Sequence, residues 1–269
     1  MFSVFGALHT TKVTDTLGKF YQQQGVTTVG ALGYSISPLS SEAAKASIES
    51  SKSVGLKSGY LNSNFPFGST DVGPVVLGMK SAGVDGFTAT TDPNTAFALV
   101  TGLRQAGVDF KVAIFATGYG GDLLQAGPGG LNAAQNAFFS LGYEPVEMKT
   151  AATRQFESDL AAAGISGEPT FAEYNGYVSI GLLVRALKAN GGNTKPAALI
   201  TSLSTIHDWD ALGLFGSHRL DINDRDNIVA GADNCMWVTK LVGKEFKLVE
   251  GATPICGKVL EGVTVSPSS

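Results

Sequence analysis

The sequence between residues 11 and 116 repeats one pattern four times. Each unit is an amphipathic stretch of helical period that ends at a glycine and is followed by a short apolar stretch rich in β-branched residues. The four glycines are Gly25, Gly55, Gly83 and Gly107. Glycine after the last helical turn adopts the left-handed conformation without a Cβ clash, so each one predicts a helix C-terminus. We predict helices over 11–24, 41–54, 71–82 and 94–106, and strands over 26–32, 57–62, 84–89 and 110–116.

Strands that alternate with helices of this length indicate βαβ units. Such units place their strands side by side in a parallel sheet, joined by right-handed crossovers that carry helices on the faces. We therefore predict an α/β fold with a doubly wound parallel sheet that extends from about residue 26 to residue 143.

The pattern changes after Tyr143. The predicted elements there are helices over 156–163, 170–189 and 195–204, and alternating strands over 234–239 and 245–249. Residues 242–244 form a hairpin-like turn between those strands. Residues 144–147 contain Pro145, which fits neither a helix interior nor a central strand. We interpret this segment as a crossing between two substructures.

Charge and hydropathy disfavour several classes of protein. The net formal charge is −4, and Lys and Arg form no cluster, which argues against nucleic-acid binding because phosphate neutralisation requires grouped cations. No apolar run reaches the roughly 18 residues of a membrane span. The first residues lack the basic and apolar regions of a secretion signal, so we expect no signal peptide at this N-terminus.

The two cysteines, Cys235 and Cys256, leave the redox compartment open. They are either two separate buried thiols or a disulfide that closes a short loop near the end of the chain. The number of cysteines does not decide between these alternatives.

The sequence contains no motif of an enzyme, metal or cofactor site that we recognise. His9, His207 and His218 have no second ligand at metal-binding spacing, and we expect the last two to be polar surface residues. The glycine-rich turn at 117–122 has Leu123 where a dinucleotide-binding fingerprint requires a third glycine. We therefore predict a protein that is not an enzyme and that uses no metal and no cofactor.

Polar and aromatic side chains follow three of the predicted strands. Ligands of open parallel sheets bind beyond the carboxyl ends of the strands, so these loops are candidate ligand contacts. The candidates are Tyr34, Ser35 and Ser37 in the first loop, Thr91, Asp92 and Asn94 in the second, and Thr117 and Tyr119 in the third. Helix capping is the alternative role, above all for Asp92 and Asn94. With three such loops at one edge, we predict a ligand site among them.

Three longer stretches match a known family in their order and spacing. They are residues 68–76 followed by 79–85, residues 97–107 ending in Leu103-Arg104-Gln105-Ala106-Gly107, and residues 174–190 containing Ala186-Leu187-Lys188-Ala189-Asn190. In these stretches the sequence resembles the leucine/isoleucine/valine-binding family of type I periplasmic binding proteins. The resemblance covers nearly the whole chain.

The resemblance implies two similar α/β lobes that close on a small solute. It assigns residues 1–25 to the end of the first lobe, 26–145 to the second lobe, 146–229 to a return into the first lobe, and 230–269 to the completion of the second lobe and a C-terminal tail. The second lobe is then complete and the first partial. We expect the opening βαβ units of the first lobe to be absent, with a separate piece as one possible source of them.

The function that this resemblance implies is solute capture for an ABC importer, outside the cytoplasm. The partners would be a small polar solute, either amino-acid-like or a small organic acid or amide, and a membrane permease. The location would be periplasmic or extracellular, with a lipid anchor as an option for the full-length protein. A receptor or regulator domain of the same fold and a doubly wound enzyme stay open as alternatives. Because disulfides persist outside the cytoplasm, the resemblance also favours a Cys235–Cys256 disulfide.

Two tyrosines, Tyr119 and Tyr174, affect the prediction of the solute and of its contacts. Tyr119 occupies the place of a family glutamate that pairs with the ammonium of an amino-acid ligand, and a phenol supplies no full negative charge near pH 7. Asp92 and Asp122 are the alternative carboxylates. The resemblance thus implies a neutral or anionic solute, aromatic and stacked on Tyr119, rather than a branched-chain amino acid. Tyr174, at the start of a first-lobe helix, either faces the solute across the cleft or belongs to the core.

Overall fold

The computed structural model describes residue 4 and residues 11–125, 127–223 and 231–266. The strands are β1 (Lys12–Thr14), β2 (Thr28–Tyr34), β3 (Lys57–Phe65), β4 (Gly86–Thr90), β5 (Val112–Phe115), β6 (Phe138–Leu141), β7 (Cys235–Val242), β8 (Glu245–Leu248), β9 (Ile255–Cys256) and β10 (Val259–Thr264). The helices are α1 (Thr16–Gln23), α2 (Pro38–Ser53), α3 (Gly73–Ser81), α4 (Pro93–Gln105), α5 (Gly121–Gln125), α6 (Gly127–Ala133), α7 (Ala151–Ala162), α8 (Phe171–Ala189) and α9 (Pro196–Leu203). Single 3-10 turns lie at Val146–Met148, Ala211–Gly213 and Ala232–Asn234.

The main sheet is parallel over most of its width. Strands β3, β2, β4, β5 and β6 lie side by side in that order, and each neighbouring pair is parallel. Strand β7 pairs antiparallel with β6, and β8 and β9 pair antiparallel with β7. The predicted doubly wound parallel sheet, completed by the C-terminal hairpin, is confirmed.

Helices cover both faces of this sheet. Side chains alternate along β5: Val112 and Ile114 join the core cluster beneath α1 and α2, whereas Ala113 and Phe115 join the cluster beneath α3 and α4. Burial on both faces explains why these strands are continuous apolar runs. Within the described ranges, no helix is both long and apolar enough to cross a lipid bilayer.

The glycines that end the repeated helices have the predicted conformation. Gly25, Gly55, Gly83 and Gly107 have φ values of +72°, +84°, +65° and +72°. Residues with a Cβ are disfavoured at these positive φ values, which is why a glycine marks the end of each helix in the sequence.

The predicted helix over 11–24 is wrong at its start. Residues Lys12–Thr14 form β1, which pairs antiparallel with β10 near the other end of the chain. The carboxylate of Asp15 accepts a hydrogen bond from the backbone N–H of Lys258 at 2.8 Å, and α1 begins only at Thr16. Pairing with so distant a strand overrides the local helical period.

Two other local predictions also need correction. Helix α7 begins at Ala151 rather than at 156, because the hydroxyl of Thr150 caps it by accepting from the N–H of Thr153 at 3.2 Å. The glycine-rich segment between β5 and β6 contains the short helices α5 and α6, which periodicity did not predict.

Helix α8 is the longest helix of the second half and packs on α9 and on the Ala211–Gly213 turn. A capping box starts it: Thr170 accepts from the N–H of Glu173 at 3.2 Å, and Glu173 accepts from the N–H of Thr170 at 2.7 Å. Its buried side chains are Tyr174, Val178, Leu182 and Ala186. They belong to the same continuous core as Phe115 of the sheet.

The other side of α8 is apolar and exposed. Ile180 is 60% exposed, and Ile200 of α9 is 57% exposed; Leu183 and Val184 of α8 are also exposed. Helices that are apolar all round are normally buried all round, so this surface is unusual for a monomer. The lobe boundaries at residues 25, 145 and 229 stay predictions, as does a separate first-lobe piece.

Cys235 and Cys256 form a disulfide between β7 and β9, where they stand directly opposite each other. This pairing is the second of the two alternatives left by the sequence. Because β9 leads into β10, and β10 pairs with β1, the disulfide attaches the C-terminal ribbon to the main sheet.

We predict that removing the disulfide lowers the free energy of unfolding by about 3 kcal/mol, because the unfolded chain regains the entropy of an open loop. Urea unfolding of the wild type and of the Cys235→Ser/Cys256→Ser variant measures the difference. Added dithiol reductant should destabilise the wild type and leave the double variant unchanged. Two free thiols on denatured, unreduced protein would contradict the pairing.

Candidate functional site

The carboxyl ends of β2, β4 and β5 meet at one edge of the sheet, because these strands are adjacent and parallel. Tyr34 ends β2, Thr90 ends β4 and Phe115 ends β5. The three loops named from the sequence therefore lie along this edge.

Tyr34, Asp92 and Thr95 form a hydrogen-bonded group at the edge. The buried Tyr34 hydroxyl donates to Asp92 Oδ2 and lies 2.8 Å from Thr95 Oγ1. Asp92 Oδ1 also accepts from the N–H groups of Asn94 at 2.9 Å and Thr95 at 3.2 Å, which makes Asp92 the N-cap of α4. Burial alone would raise the pKa of the Asp92 carboxyl, but these hydrogen bonds together hold the pKa below its usual value.

Three more candidates have partners within the chain. Ser37 caps α2 by accepting from the N–H of Ser40 at 3.3 Å. Thr117 donates to the carbonyl of the buried Thr91 at 3.3 Å. These contacts fix the shape of the edge. Capping and ligand contact both stay possible roles for these residues.

The remaining part of the edge is exposed. Ser35 is exposed, and Ile36 beside it is 72% exposed. Phe67 is 68% exposed, and its ring centroid lies 5.1 Å from that of Tyr34. Asn94 is exposed at a groove of about 740 Å³ between α3, α4 and α6. An incoming molecule would therefore meet hydroxyl, amide and aromatic groups here.

Tyr119 and Tyr174 form a second group together with Glu147. The Tyr119 hydroxyl donates to Glu147 Oε2 at 2.7 Å, and its ring centroid lies 6.3 Å from that of Tyr174 and 4.8 Å from that of Phe246. Tyr119 is 3% exposed, and Tyr174, at 1%, donates to the Glu144 carbonyl. Tyr174 thus has a core position in this structure, one of the two roles that the sequence left open.

Burial controls the titration of this group. It raises the pKa of the Glu147 carboxyl to about 7, although the hydrogen bond from Tyr119 opposes the shift. Burial also raises the pKa of the Tyr119 phenol well above its usual value, so this phenol remains a neutral donor. The half-buried Glu147 carboxyl therefore has the most strongly raised pKa among the carboxyl groups of the site.

The start of α5 lies directly against the start of α8. Gly120 has φ +61°, and a Cβ there would lie 2.1 Å from the Pro169 carbonyl oxygen, so only glycine fits. The N–H of Gly121 donates to the same carbonyl at 3.2 Å, and Asp122 Oδ2 accepts from the N–H of Phe171 at 3.1 Å. Asp122 is therefore engaged in joining two helix starts.

The structure thus sorts the candidates into a strand-end group and a group around Tyr119. Thr95, Phe67 and Glu147 are not among the residues predicted from the sequence. Thr95 is the third residue of α4, and the side chain of an N-cap residue such as Asp92 commonly accepts from the N–H group at this position. Glu147 lies in the segment predicted to cross between two substructures, and nothing in the local sequence links it to Tyr119.

Within the described residues, one group of side chains could hold a metal ion: His218, Cys235 and Cys256, whose ligand atoms lie within 4.8 Å of one another. Both cysteines are in the disulfide, so neither offers a thiolate. His218 is half-buried and hydrogen-bonded to Asp233, which corrects the expectation of a surface histidine. The other, His207, is exposed and paired with Asp221.

Residues 1–245 match the sequence profile of the periplasmic binding proteins. The chain belongs to this family. A comparison with curated protein sequences gave no match.

Solved structures share the fold at low identity. A solute-binding protein of an R. palustris ABC transporter, in complex with benzoate, superimposes with a TM-score of 0.69 at 15% identity over 93% of this chain and 64% of its own. The leucine-binding protein of Thermotoga maritima gives a TM-score of 0.69 at 15% identity over 87% of this chain and 64% of its own. A substrate-binding periplasmic protein from Ralstonia solanacearum gives 0.69 at 20% identity, over 90% and 70%. The chain therefore spans about two thirds of the length of these relatives.

We predict that Tyr34→Phe lowers the free energy of unfolding at pH 7 by about 2 kcal/mol, because a buried hydrogen bond to a charged carboxylate is lost. Because the pKa of Asp92 is lower in the folded than in the unfolded state, its carboxylate stabilises the fold at pH values above the unfolded pKa. This stabilisation is lost as the pH falls through the folded pKa. The variant should therefore lose less stability than the wild type between pH 7 and about pH 3. Urea unfolding at both pH values tests this, with Tyr60→Phe on β3 as the control; equal acid sensitivity of the two variants would refute it.

We predict the opposite pH dependence for Glu147. Its folded pKa is raised, so the native state binds the extra proton, and the stability from this group falls as the pH rises from the unfolded value of about 4.3 to about 7. Glu147→Gln should remove a decline on the order of 2 kcal/mol across that window. Urea unfolding at pH 5 and pH 7.5 measures it, and the exposed Glu261→Gln is the control. An unchanged slope in Glu147→Gln would show that this carboxyl is not buried in solution.

Proposed function

We propose that this protein binds a small solute at the edge formed by the ends of β2, β4 and β5. The observation that carries the proposal is the meeting of three polar loops at that edge, in a chain of the periplasmic binding protein family. This end of an open parallel sheet is where ligands bind. Capture proceeds by closure of two lobes, and the solute passes to the membrane permease of an ABC importer outside the cytoplasm.

We propose a neutral or anionic aromatic solute. An ammonium ligand needs a carboxylate partner, because a buried unpaired charge is costly. Asp92 already accepts from Tyr34 and from two N–H groups, and Asp122 accepts from Phe171. Burial favours the neutral form of Glu147. Relatives of the same fold bind benzoate and 4-hydroxybenzoate, but another is a leucine-binding protein, so the choice depends on these side chains.

The aromatic surface for such a solute is Phe67 in the first instance. Its ring is exposed and makes an edge-to-face contact with Tyr34, whereas Tyr119 is packed between Tyr174 and Phe246. Stacking of the solute on Tyr119 requires that ring to leave these contacts. Ser35 and Asn94 are exposed donors on the same edge that could bind a carboxylate or amide.

The exposed side of α8 and α9 supports a further expectation about assembly. Ile180 and Ile200 would be covered by sheet strands of the first lobe, supplied in the same chain or as a separate piece. Protection of these helices from amide hydrogen exchange upon addition of such a piece would show the packing.

Calorimetry tests the proposed function directly. We expect benzoate, 4-hydroxybenzoate or benzamide to bind at least about tenfold more tightly than leucine or valine, the scale of one lost charge–hydrogen-bond contact. Phe67→Ala should weaken the preferred aromatic ligand by about tenfold through the loss of ring contact. Recovery of the solute unchanged after prolonged incubation distinguishes binding from turnover.

The matched control is Leu61→Ala, which removes an exposed apolar side chain within β3, away from the edge. It should leave the affinity unchanged. Sub-micromolar binding of leucine that is lost in Glu147→Gln would overturn the choice of solute while leaving solute binding intact. Absence of saturable binding for all five compounds would count against the proposed function itself.

A further inference from the structure

A second cavity lies behind the sheet edge, on the face covered by α1 and α2. Its volume is about 210 Å³. Ala43 and Ala46 of α2 form one wall, and Thr88 of β4 with Ala116 after β5 forms the opposite wall. Val13 of β1 and residues at the start of β7 close the remaining side. This space is separate from the exposed edge at Ser35, Phe67 and Asn94.

The lining offers an occupant no charged group and few hydrogen-bond donors that lack an acceptor. No lining side chain is charged. Three of the lining hydroxyl groups already donate to carbonyl oxygens: Thr88 to Ile114 at 2.8 Å, Ser47 to Ala43 at 2.7 Å, and Thr16 to Asn234 at 2.7 Å. A carboxylate here would lose its water and gain no cationic partner in return, which disfavours an anion relative to an uncharged occupant.

The size of the space fits a small ring. An apolar cavity of about 150 Å³ in a protein interior stays dry and binds benzene. The present cavity is larger, and its lining combines apolar side chains of alanine, valine, leucine, isoleucine and methionine with serine and threonine residues, whose carbon atoms add to the apolar surface. Dispersion contacts with those groups and the release of water would both favour an apolar occupant.

We propose that this cavity is a second binding site, for a small uncharged apolar molecule such as a monocyclic aromatic hydrocarbon. The occupant lies between the α2–sheet unit and two connecting segments, β1 and the start of β7. The second of these is held by the Cys235–Cys256 disulfide and by the carbonyl of Asn234, which accepts a hydrogen bond from the Thr16 hydroxyl. The binding itself does not depend on the proposed solute function at the other side of the edge.

Fluorine NMR of fluorobenzene with the purified chain tests the site. We expect saturable broadening or a shift of the fluorobenzene signal. Ala46→Leu fills the cavity from the helix side and should weaken binding by about tenfold or more, because the space is lost. Ala116→Leu fills it from the exposed mouth and serves if the first variant fails to fold. Ala98→Leu makes the same substitution in the groove between α3 and α4 and should leave binding unchanged.

Competition separates this site from the solute site. An excess of benzoate should leave the fluorobenzene signal unaltered, because the cavity has no cationic partner for a carboxylate. Displacement by benzoate, or equal binding by the wild type and both filled variants, would overturn the proposal. Absence of saturable fluorobenzene binding would overturn it too. A failure of benzoate to bind anywhere would contradict only the proposed solute, since fluorobenzene binding is measured on its own.

Discussion

The central strands of the sheet are buried on both faces, and this burial determines where polar chemistry can lie. Residues 29–34 of β2 and all residues of β5 are buried. A polar side chain in such a strand carries a desolvation cost unless it finds a hydrogen-bond partner. Polar groups therefore collect where the strands end and the helices begin. Because β2, β4 and β5 are parallel neighbours, those ends meet at one edge.

The same positions must also start helices, so capping and ligand contact share a small set of side chains. Asp92 satisfies N–H groups of α4 and holds the Tyr34 hydroxyl, and Ser37 satisfies an N–H of α2. Such residues give the edge a fixed shape, since each is bound on several sides. The exposed Ser35 and Phe67 are then left on a rigid base. A preorganised rim of this kind lowers the entropic cost of binding.

Sequence period and helix-ending glycines were enough to predict the parallel sheet and its edge, because both are local signals. The parts that could not be predicted depend on contacts between distant segments. The start of α1 gave way to β1 because β10 pairs with it from the far end of the chain. The pairing of Glu147 with Tyr119 joins a 3-10 turn to a strand-end loop, and no spacing rule connects them. The resemblance identified the family. The lobe boundaries that it implies do not show which distant segments of the chain contact each other.

The Glu147 carboxyl beside Tyr119 changes which solute charges this part of the site can accept. A carboxyl does lie next to the phenol, but burial raises its pKa to about 7, so its charge depends on what is bound nearby. An anionic solute beside Tyr119 would raise that pKa further and take up a proton on binding, whereas an ammonium would lower it and release one. The sign of the proton exchange thus follows the charge of the solute. Glu147, rather than the neutral Tyr119 phenol, is therefore the group that can adapt to an anion by taking up a proton.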